Sequence, residues 1–500
     1  MIIDLSTLTF TNDADIVPLL GIKKIINSGN VHTLGGNDVL NGNALRAEDI
    51  AGFENNGTIY TDCGDDAITG TGNNAGVASY GIYNTGTIYM GSGADTIIAT
   101  SASGNYALNN LGKIDTGTGD DTIAAIATNG ARGIDNEASA TIDTGAGNDT
   151  ITGSAIGPGI VNAGKIDTGT GNDIITGNSS VIGIYNTGVI STGKGNDTIT
   201  GNGPSGGIEN TAKIDTGEGD DKIVADSFGF GGSGIKNTGT IDMGAGNDTI
   251  TATVSGRQTG IVNSGKLDMG TGNDTITVSS ISNVGKIETG TGNDTITITG
   301  YNYGLQNVSN GIIDTGSGDD IISSSSVFGK SIDNAGKIDT GKGNDTITGS
   351  SSTYGLFGIY NTGTIDLGDG HDIITGTSTA TSGAGIYNNG TINAGAGKDI
   401  VDALTGDFGG NGNIHLGDGN DIIKGFGTGH FDGGNGQDTL LFGTGTYTVA
   451  ANTNLEGFYT ISNGITDMQV KNFESIGGNA DPTHLMSFAA LIGHGSFVIA

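Results

Sequence analysis

The chain has 500 residues, of which 96 are Gly, 4 are Pro and none is Trp, and its 53 acidic side chains outnumber 19 basic ones to give a formal charge of -34. So few bulky side chains cannot fill one large globular core, and the sign of the charge argues against nucleic acid or an anionic membrane as partner. Cys63 is alone, so no internal disulfide forms, and no stretch approaches the roughly 18 apolar residues of a membrane span.

The chain starts MIIDLSTLTF, without a basic region or a long apolar run, so no N-terminal signal peptide is expected. Residues 1–22 carry an apolar cluster from Ile16 to Leu20 and are predicted to form an N-terminal cap over the first exposed edge.

From residue 23 to 440 one block recurs, as in GKIDTGTGDDTI at 112–123 and GTIDMGAGNDTI at 239–250. Its closing Asp falls at Asp38, Asp66, Asp95, Asp121, Asp149, Asp173, Asp197, Asp221, Asp248, Asp274, Asp294, Asp320, Asp345, Asp372, Asp399, Asp421 and Asp438. All but the first two have Gly both two and four places earlier; there Leu34 and Asp62 replace the earlier Gly. An Asn-x-Gly marker sits 11 residues before many of these Asp, as at Asn27, Asn84, Asn162, Asn186, Asn237 and Asn361. The stretch from Asp to the next Asn varies in length. The rigid part of the repeat is therefore expected to carry the chemistry, and the variable part to loop out.

Ile alternates with polar neighbours in GIYN, KID and DTIT, which gives three short strands per repeat. None of them is a stable sheet alone. Stacked coil on coil, they make Ile ladders, with each backbone satisfied by the coils on either side. The expected fold is all-β, a single-stranded β-solenoid of the parallel β-helix or β-roll type. At ~4.8 Å per strand, about 17 rungs give a rod roughly 80 Å long. The residue before Asn varies (Tyr83, Val161, Glu209, Lys236) and is expected to face outward. Residues 441–500 change character, with TYTV, VKNFESIGG and an apolar tail without acidic residues, and are predicted to cap the other end.

In T-G-x-G-N-D-T-I-T, as at 168–176, two Gly allow a tight bend that gathers carbonyl oxygens, and the Asp adds a carboxylate. Carbonyls and carboxylates without His or Cys suit Ca²⁺. Stacking brings the Asp of one coil to ~5 Å from the next, where like charges repel unless a cation lies between them. The regular turns would hold on the order of 14 ions, about +28 of charge against the formal -34.

These turns resemble the RTX nonapeptide repeat, G-G-x-G-x-D-x-U-x, a Ca²⁺-binding β-helix motif. The match recurs over most of residues 30–440. The resemblance implies calcium held between coils along one edge. The carboxylate ligands would be Asp95, Asp121, Asp149, Asp173, Asp197, Asp221, Asp248, Asp274, Asp294, Asp320, Asp345, Asp372, Asp399, Asp421 and Asp438. Carbonyls such as those of Thr168, Gly169 and Gly171 would complete the shell. The chain departs from the family in two ways. The first consensus Gly is usually Thr (Thr116, Thr144, Thr168, Thr192) and is matched by Gly433 in the last copy. The repeat is also longer than the family's. The VKNFESIGG phrase and the tail resemble the closing segment and the uncleaved C-terminal signal of type I secretion, which implies an extracellular or cell-surface protein.

A second Asp, as at Asp115, Asp143, Asp167 and Asp215, is read as an exposed polar residue. His32, His371, His415, His430, His484 and His494 form no zinc-like set, and neither H-E-x-x-H nor G-x-S-x-G occurs, so no enzyme activity is expected. Thr170, Thr271 and Thr291 could template ice, but Lys194, Glu218 and Lys342 interrupt that row. Aromatics in the variable arms, Phe228, Phe230, Tyr301, Tyr303, Tyr354 and Phe357, either cover the solenoid edge or offer a face to glycan or another partner. The alternative function is thus an adhesive surface rod in which Ca²⁺ is purely structural.

Overall fold

Ile at every second residue of three short segments dictates the architecture. In the computed structural model one coil consists of the strands Ile160–Asn162, Lys165–Asp167 and Ile174–Ser179. The next coil, Ile182–Asn186, Val189–Ser191 and Thr198–Asn202, lies parallel to it. Their register pairs Ile160 with Ile184, Ile166 with Ile190 and Ile175 with Ile199. All six are fully buried, each contributing about 2 kcal/mol of hydrophobic stabilisation. Gly accounts for how thin the coil is: a Cβ on Gly177 would lie 2.2 Å from the Gly183 carbonyl oxygen where two sheets meet.

The chain is an all-β parallel solenoid of about 16 turns with stacked parallel sheets and almost no helix. The structure describes every residue except 1, 19–22, 45, 47–48, 73–78, 103–105, 230, 353, 493–494 and 500. Leu19, Leu20, Phe230 and His494, named above, lie outside the described residues. The chain divides into two units, one of Met1–Gly260 with Lys266–Asp268, the other of Ile261–Gly265 with Met269–Ala500.

In the first unit, the segment before residue 23 supplies the strands Ile2–Asp4 and Ile16–Val17. They pair in parallel with Lys24–Asn27 and Val39–Asn43, so this segment starts the coil stack itself. In the second unit, the coils end in an antiparallel layer. Gly445–Ala451 pairs with Tyr459–Ser462 and with Ser496–Ile499. Ile gives way to rings there: Phe426, Phe442 and Tyr447 pack at centroid distances of 5.1 to 5.2 Å.

The marker Asn forms a buried side-chain ladder. Asn162 Nδ2 donates to Asn186 Oδ1 at 2.9 Å and to the Val189 carbonyl at 2.9 Å. Asn110 and Asn283, with a Gly two places on, and Asn136, Asn210 and Asn307, without one, hold the same position. The residue before Asn does point away from the Ile core, but the variable arms cover part of that face. Val161 is buried, and so is Asp135, which Arg132 pairs from the arm at 2.5 Å. No helix among the described residues is long and apolar enough to cross a membrane.

Candidate metal centre

The repeated turn is shaped by its glycines. Gly169 and Gly171 have φ of +88° and +131°. A Cβ on Gly171 would lie 1.7 Å from the Gly147 carbonyl oxygen of the preceding coil. Leu34 and Asp62 take the same left-handed conformation at φ 70° and 66°, so the two atypical turns keep the regular geometry. Backbone bonds then stack the turns: Thr170 N–H to the Gly145 carbonyl at 2.8 Å, and Lys194 N–H to the Gly169 carbonyl at 2.9 Å.

This stacking places the closing Asp inside the turn in a single file. In the first unit, the N–H of Asp149 donates to Asp173 Oδ1, and the N–H of Asp173 to Asp197 Oδ1, both at 2.8 Å. The same bond links Asp38 to Asp66, Asp66 to Asp95, Asp95 to Asp121, Asp121 to Asp149, Asp197 to Asp221 and Asp221 to Asp248. In the second unit it joins Asp274, Asp294, Asp320, Asp345, Asp372, Asp399, Asp421 and Asp438 in order. Each carboxylate therefore holds the backbone of the coil before it.

The other oxygen is left over. Oδ2 is buried and without a hydrogen-bond partner in Asp38, Asp66, Asp95, Asp121, Asp149, Asp173, Asp197 and Asp221 of the first unit. The same holds for Asp294, Asp320, Asp345, Asp372, Asp399, Asp421 and Asp438 of the second. Burial pushes these carboxyls up from 3.8. Asp95, Asp173, Asp320, Asp372 and Asp438 reach about 7, and Asp149, Asp221 and Asp399 about 6. The N–H bond to Oδ1 opposes the shift, and neighbouring carboxylates add to it.

The position of the family's first Gly faces this carboxylate from inside the turn. Thr116, Thr144, Thr168 and Thr192 are buried there, and Met90, Met243, Met269, Leu367 and Leu416 take the place in other turns. The Thr168 hydroxyl donates to the Thr192 carbonyl at 3.3 Å, and its nearness to Asp173 offsets only part of the burial effect.

The donor set fits a hard cation. Among the described residues no three His, Cys, Asp or Glu side chains converge, so an ion in the file would meet the carboxylates of successive turns and otherwise backbone oxygen. Of the carbonyls named from the sequence, that of Thr168 accepts the Thr144 hydroxyl at 3.4 Å, and that of Gly169 accepts Lys194 N–H. Each keeps a second lone pair. All-oxygen donors of this kind suit Ca²⁺ over zinc.

Sequence reasoning missed two members of the file, Asp15 and Glu474, and left two more, Asp38 and Asp66, out of the ligand set. Asp38 and Asp66 were set apart by their irregular turns, yet are as buried as the rest. Asp15 N–H donates to Asp38 Oδ1 at 2.7 Å, and Asp438 N–H donates to Glu474 Oε2 at 2.7 Å. The phrases DIV after Asp15 and ESI after Glu474 mimic the D-T-I of the repeat and were the available signal. The residue before each Asp forms a second, exposed ladder in the opposite direction: Asn196 N–H donates to Asn172 Oδ1 at 2.7 Å, and Asp220 N–H to Asn196 Oδ1 at 2.9 Å. The second Asp lies on the outer face beside Lys, as in Lys113–Asp115 at 2.7 Å and Lys213–Asp215 at 2.6 Å.

No family model matches the chain, and no curated protein matches it. The RTX resemblance therefore rests on the turn motif alone. Among solved structures the chain is similar to a hyperactive, Ca²⁺-dependent, β-helical antifreeze protein from an Antarctic bacterium. The identity is 21%, over 69% of this chain and 86% of that one, with a TM-score of 0.36.

Proposed function

We propose that the chain is a secreted or cell-surface calcium-binding solenoid, a binding and structural protein rather than an enzyme, whose folding is completed by Ca²⁺ outside the cell. One observation carries this reading: the turns from Asp38 to Asp221 and from Asp294 to Asp438 each bury a carboxylate oxygen that has no hydrogen-bond partner. Desolvating an ionised carboxylate costs several kcal/mol. Two such charges ~5 Å apart repel by about 3 kcal/mol at an effective dielectric of about 20. A file of them needs protons or cations to exist, and at neutral pH a divalent ion offsets both costs.

Calcium that binds only the folded state stabilises it by mass action. With a Kd near 10⁻⁴ M, of the order found in extracellular modules, millimolar Ca²⁺ contributes about 1.4 kcal/mol per site. Summed over the turns, that rivals the whole stability of an ordinary domain. Cytosolic calcium is far too dilute for this, so the chain would stay open for export. The test is circular dichroism of the purified chain in EDTA and then in Ca²⁺. Strand signal should rise with the metal, and equal signal without it would sink the coupling of folding to calcium.

The adhesive-rod alternative has one observation in its favour. In the second unit, Tyr301, Phe328 and Tyr354 pack ring against ring at 4.9 and 5.4 Å, and Tyr354 is 71% exposed. Glycan or cell binding lost in a Y354A, F328A variant would favour it; binding that survives would count against it.

A further inference from the structure

We propose that Glu474 and Asp438 form a separate terminal cation site in the second unit, open to a cavity and exchanging its ion independently of the rest of the file. The inference rests on the calcium reading above and adds a site that the repeated turn does not contain. Glu474 belongs to no glycine turn, yet register puts it where the next Asp would stand. Ser475 pairs with Thr439 in parallel, and Ser475 N–H donates to the Asp438 carbonyl at 3.1 Å, as Thr439 N–H does to that of Asp421 at 2.8 Å. Glu474 Oε2 then takes the N–H of Asp438, the role each Asp plays for the coil before it.

Two features set this end apart. The Asp438 residue is fully buried and its Oδ2 has no partner, but the inner position that Thr, Met, Leu or Ala fills in other turns is here Gly433. A Cβ on Gly433 would lie 2.7 Å from that oxygen, so the glycine places no side chain against it. Beyond Glu474 the parallel stack stops, because Ser475 pairs next with Ser487 in antiparallel fashion. Glu474 lines a cavity of about 590 Å³ together with Gln437, Tyr459, Ser475 and Phe488.

A hard divalent cation fits these donors: two carboxylates from the protein and water from the cavity for the remaining positions. An ion between two turns is enclosed by both and leaves only when coils part. The terminal ion would have a single coil on one side and, on the other, Glu474, which lines the cavity. The full chain should therefore show two kinetic classes of ion.

Terbium uptake by the calcium-stripped full chain, read by tyrosine-sensitised luminescence in stopped flow, tests this. The wild-type chain should show a fast phase ahead of slower ones. E474Q keeps an oxygen for the Asp438 N–H but not the charge. It should lose the fast phase and about one ion per chain, with circular dichroism unchanged. Y459F should bind as many ions as the wild type but lose most of the fast-phase emission. A fast phase and full ion count retained in E474Q would overturn the proposal. Should E474Q fail to fold, E474D decides: it keeps the charge one methylene short, and its fast phase must release ion faster than wild type, whereas unchanged kinetics overturn the site. Wild-type protein that takes up no ion at all would instead sink the calcium reading.

Discussion

The backbone N–H of Asp149 donates to Oδ1 of Asp173 at 2.8 Å, while Oδ2 of Asp173 lies buried with no hydrogen-bond partner. One oxygen staples two coils and the other has no hydrogen-bond partner. The two oxygens separate experimentally, because Asn preserves the first and replaces the second.

D173N should therefore act in opposite directions with and without metal. In Ca²⁺ it should lower the melting temperature and the ion count, at a cost of about 1–3 kcal/mol for the lost charge-assisted interaction. In EDTA, under conditions where residual folded structure melts, it should raise the melting temperature, since one buried like charge is gone from the file. Thermal unfolding of both proteins in both buffers checks this, and destabilisation of equal size in each buffer would refute a metal role for Asp173.

Stability should depend on pH in a way that calcium inverts. Asp95, Asp173, Asp320 and Asp372 rise from 3.8 to about 7. Folding then holds their protons more tightly than the unfolded chain does. Metal-free protein accordingly loses stability as pH climbs from about 4 to about 7. Calcium needs the deprotonated form, so its stabilising effect should be large at pH 8 and small at pH 5. Melting curves across that range, with EDTA and with Ca²⁺, should converge at the acid end. Metal-free stability that increases through this window would contradict the burial of ionisable carboxylates.

The Asn ladder should contribute without reference to metal. Asn186 donates to Asn210 Oδ1 at 2.8 Å and to the Lys213 carbonyl at 2.9 Å, and accepts from Asn162. N186A strands the neighbouring amide groups in a buried place and should cost about 1–3 kcal/mol. Urea midpoints should shift by the same amount in EDTA and in Ca²⁺, wherever a folded baseline exists in both. A shift confined to one condition would tie this ladder to the ion.

The turn glycines should be intolerant for a steric reason. Gly195 has φ +133°, and a Cβ there would meet the Gly171 carbonyl oxygen at 1.7 Å. G195A should open the adjacent coils, seen as new proteolytic cleavage near residue 195 in Ca²⁺. G443A, where the same change meets open space and the backbone is not left-handed, should leave that cleavage pattern unaltered.

Much of this was legible in the sequence because the repeat is spelled in residues with narrow uses. Ile at alternate positions marked the strands, and the constant spacing of Asn162 and Asn186 to the turn marked the place where the buried Asn ladder forms. The single file of Asp followed from constant spacing to the turn. What could not be read was direction. Nothing in T-G-x-G-N-D says that Asp173 turns inward while Asn172 stays exposed. Asp15 and Glu474 escaped because each fills a place in the file without the glycines that define the turn elsewhere. Asp135 lies buried beside Arg132 of an arm of irregular length, and such arms carry no periodic signal.

Ion counting tests the central claim most directly. The full chain, stripped with chelator, dialysed against millimolar Ca²⁺ and analysed by mass spectrometry of its metal content, should carry on the order of one ion for each successive pair of turn carboxylates. A folded protein carrying no calcium, or only one or two ions, would contradict the account.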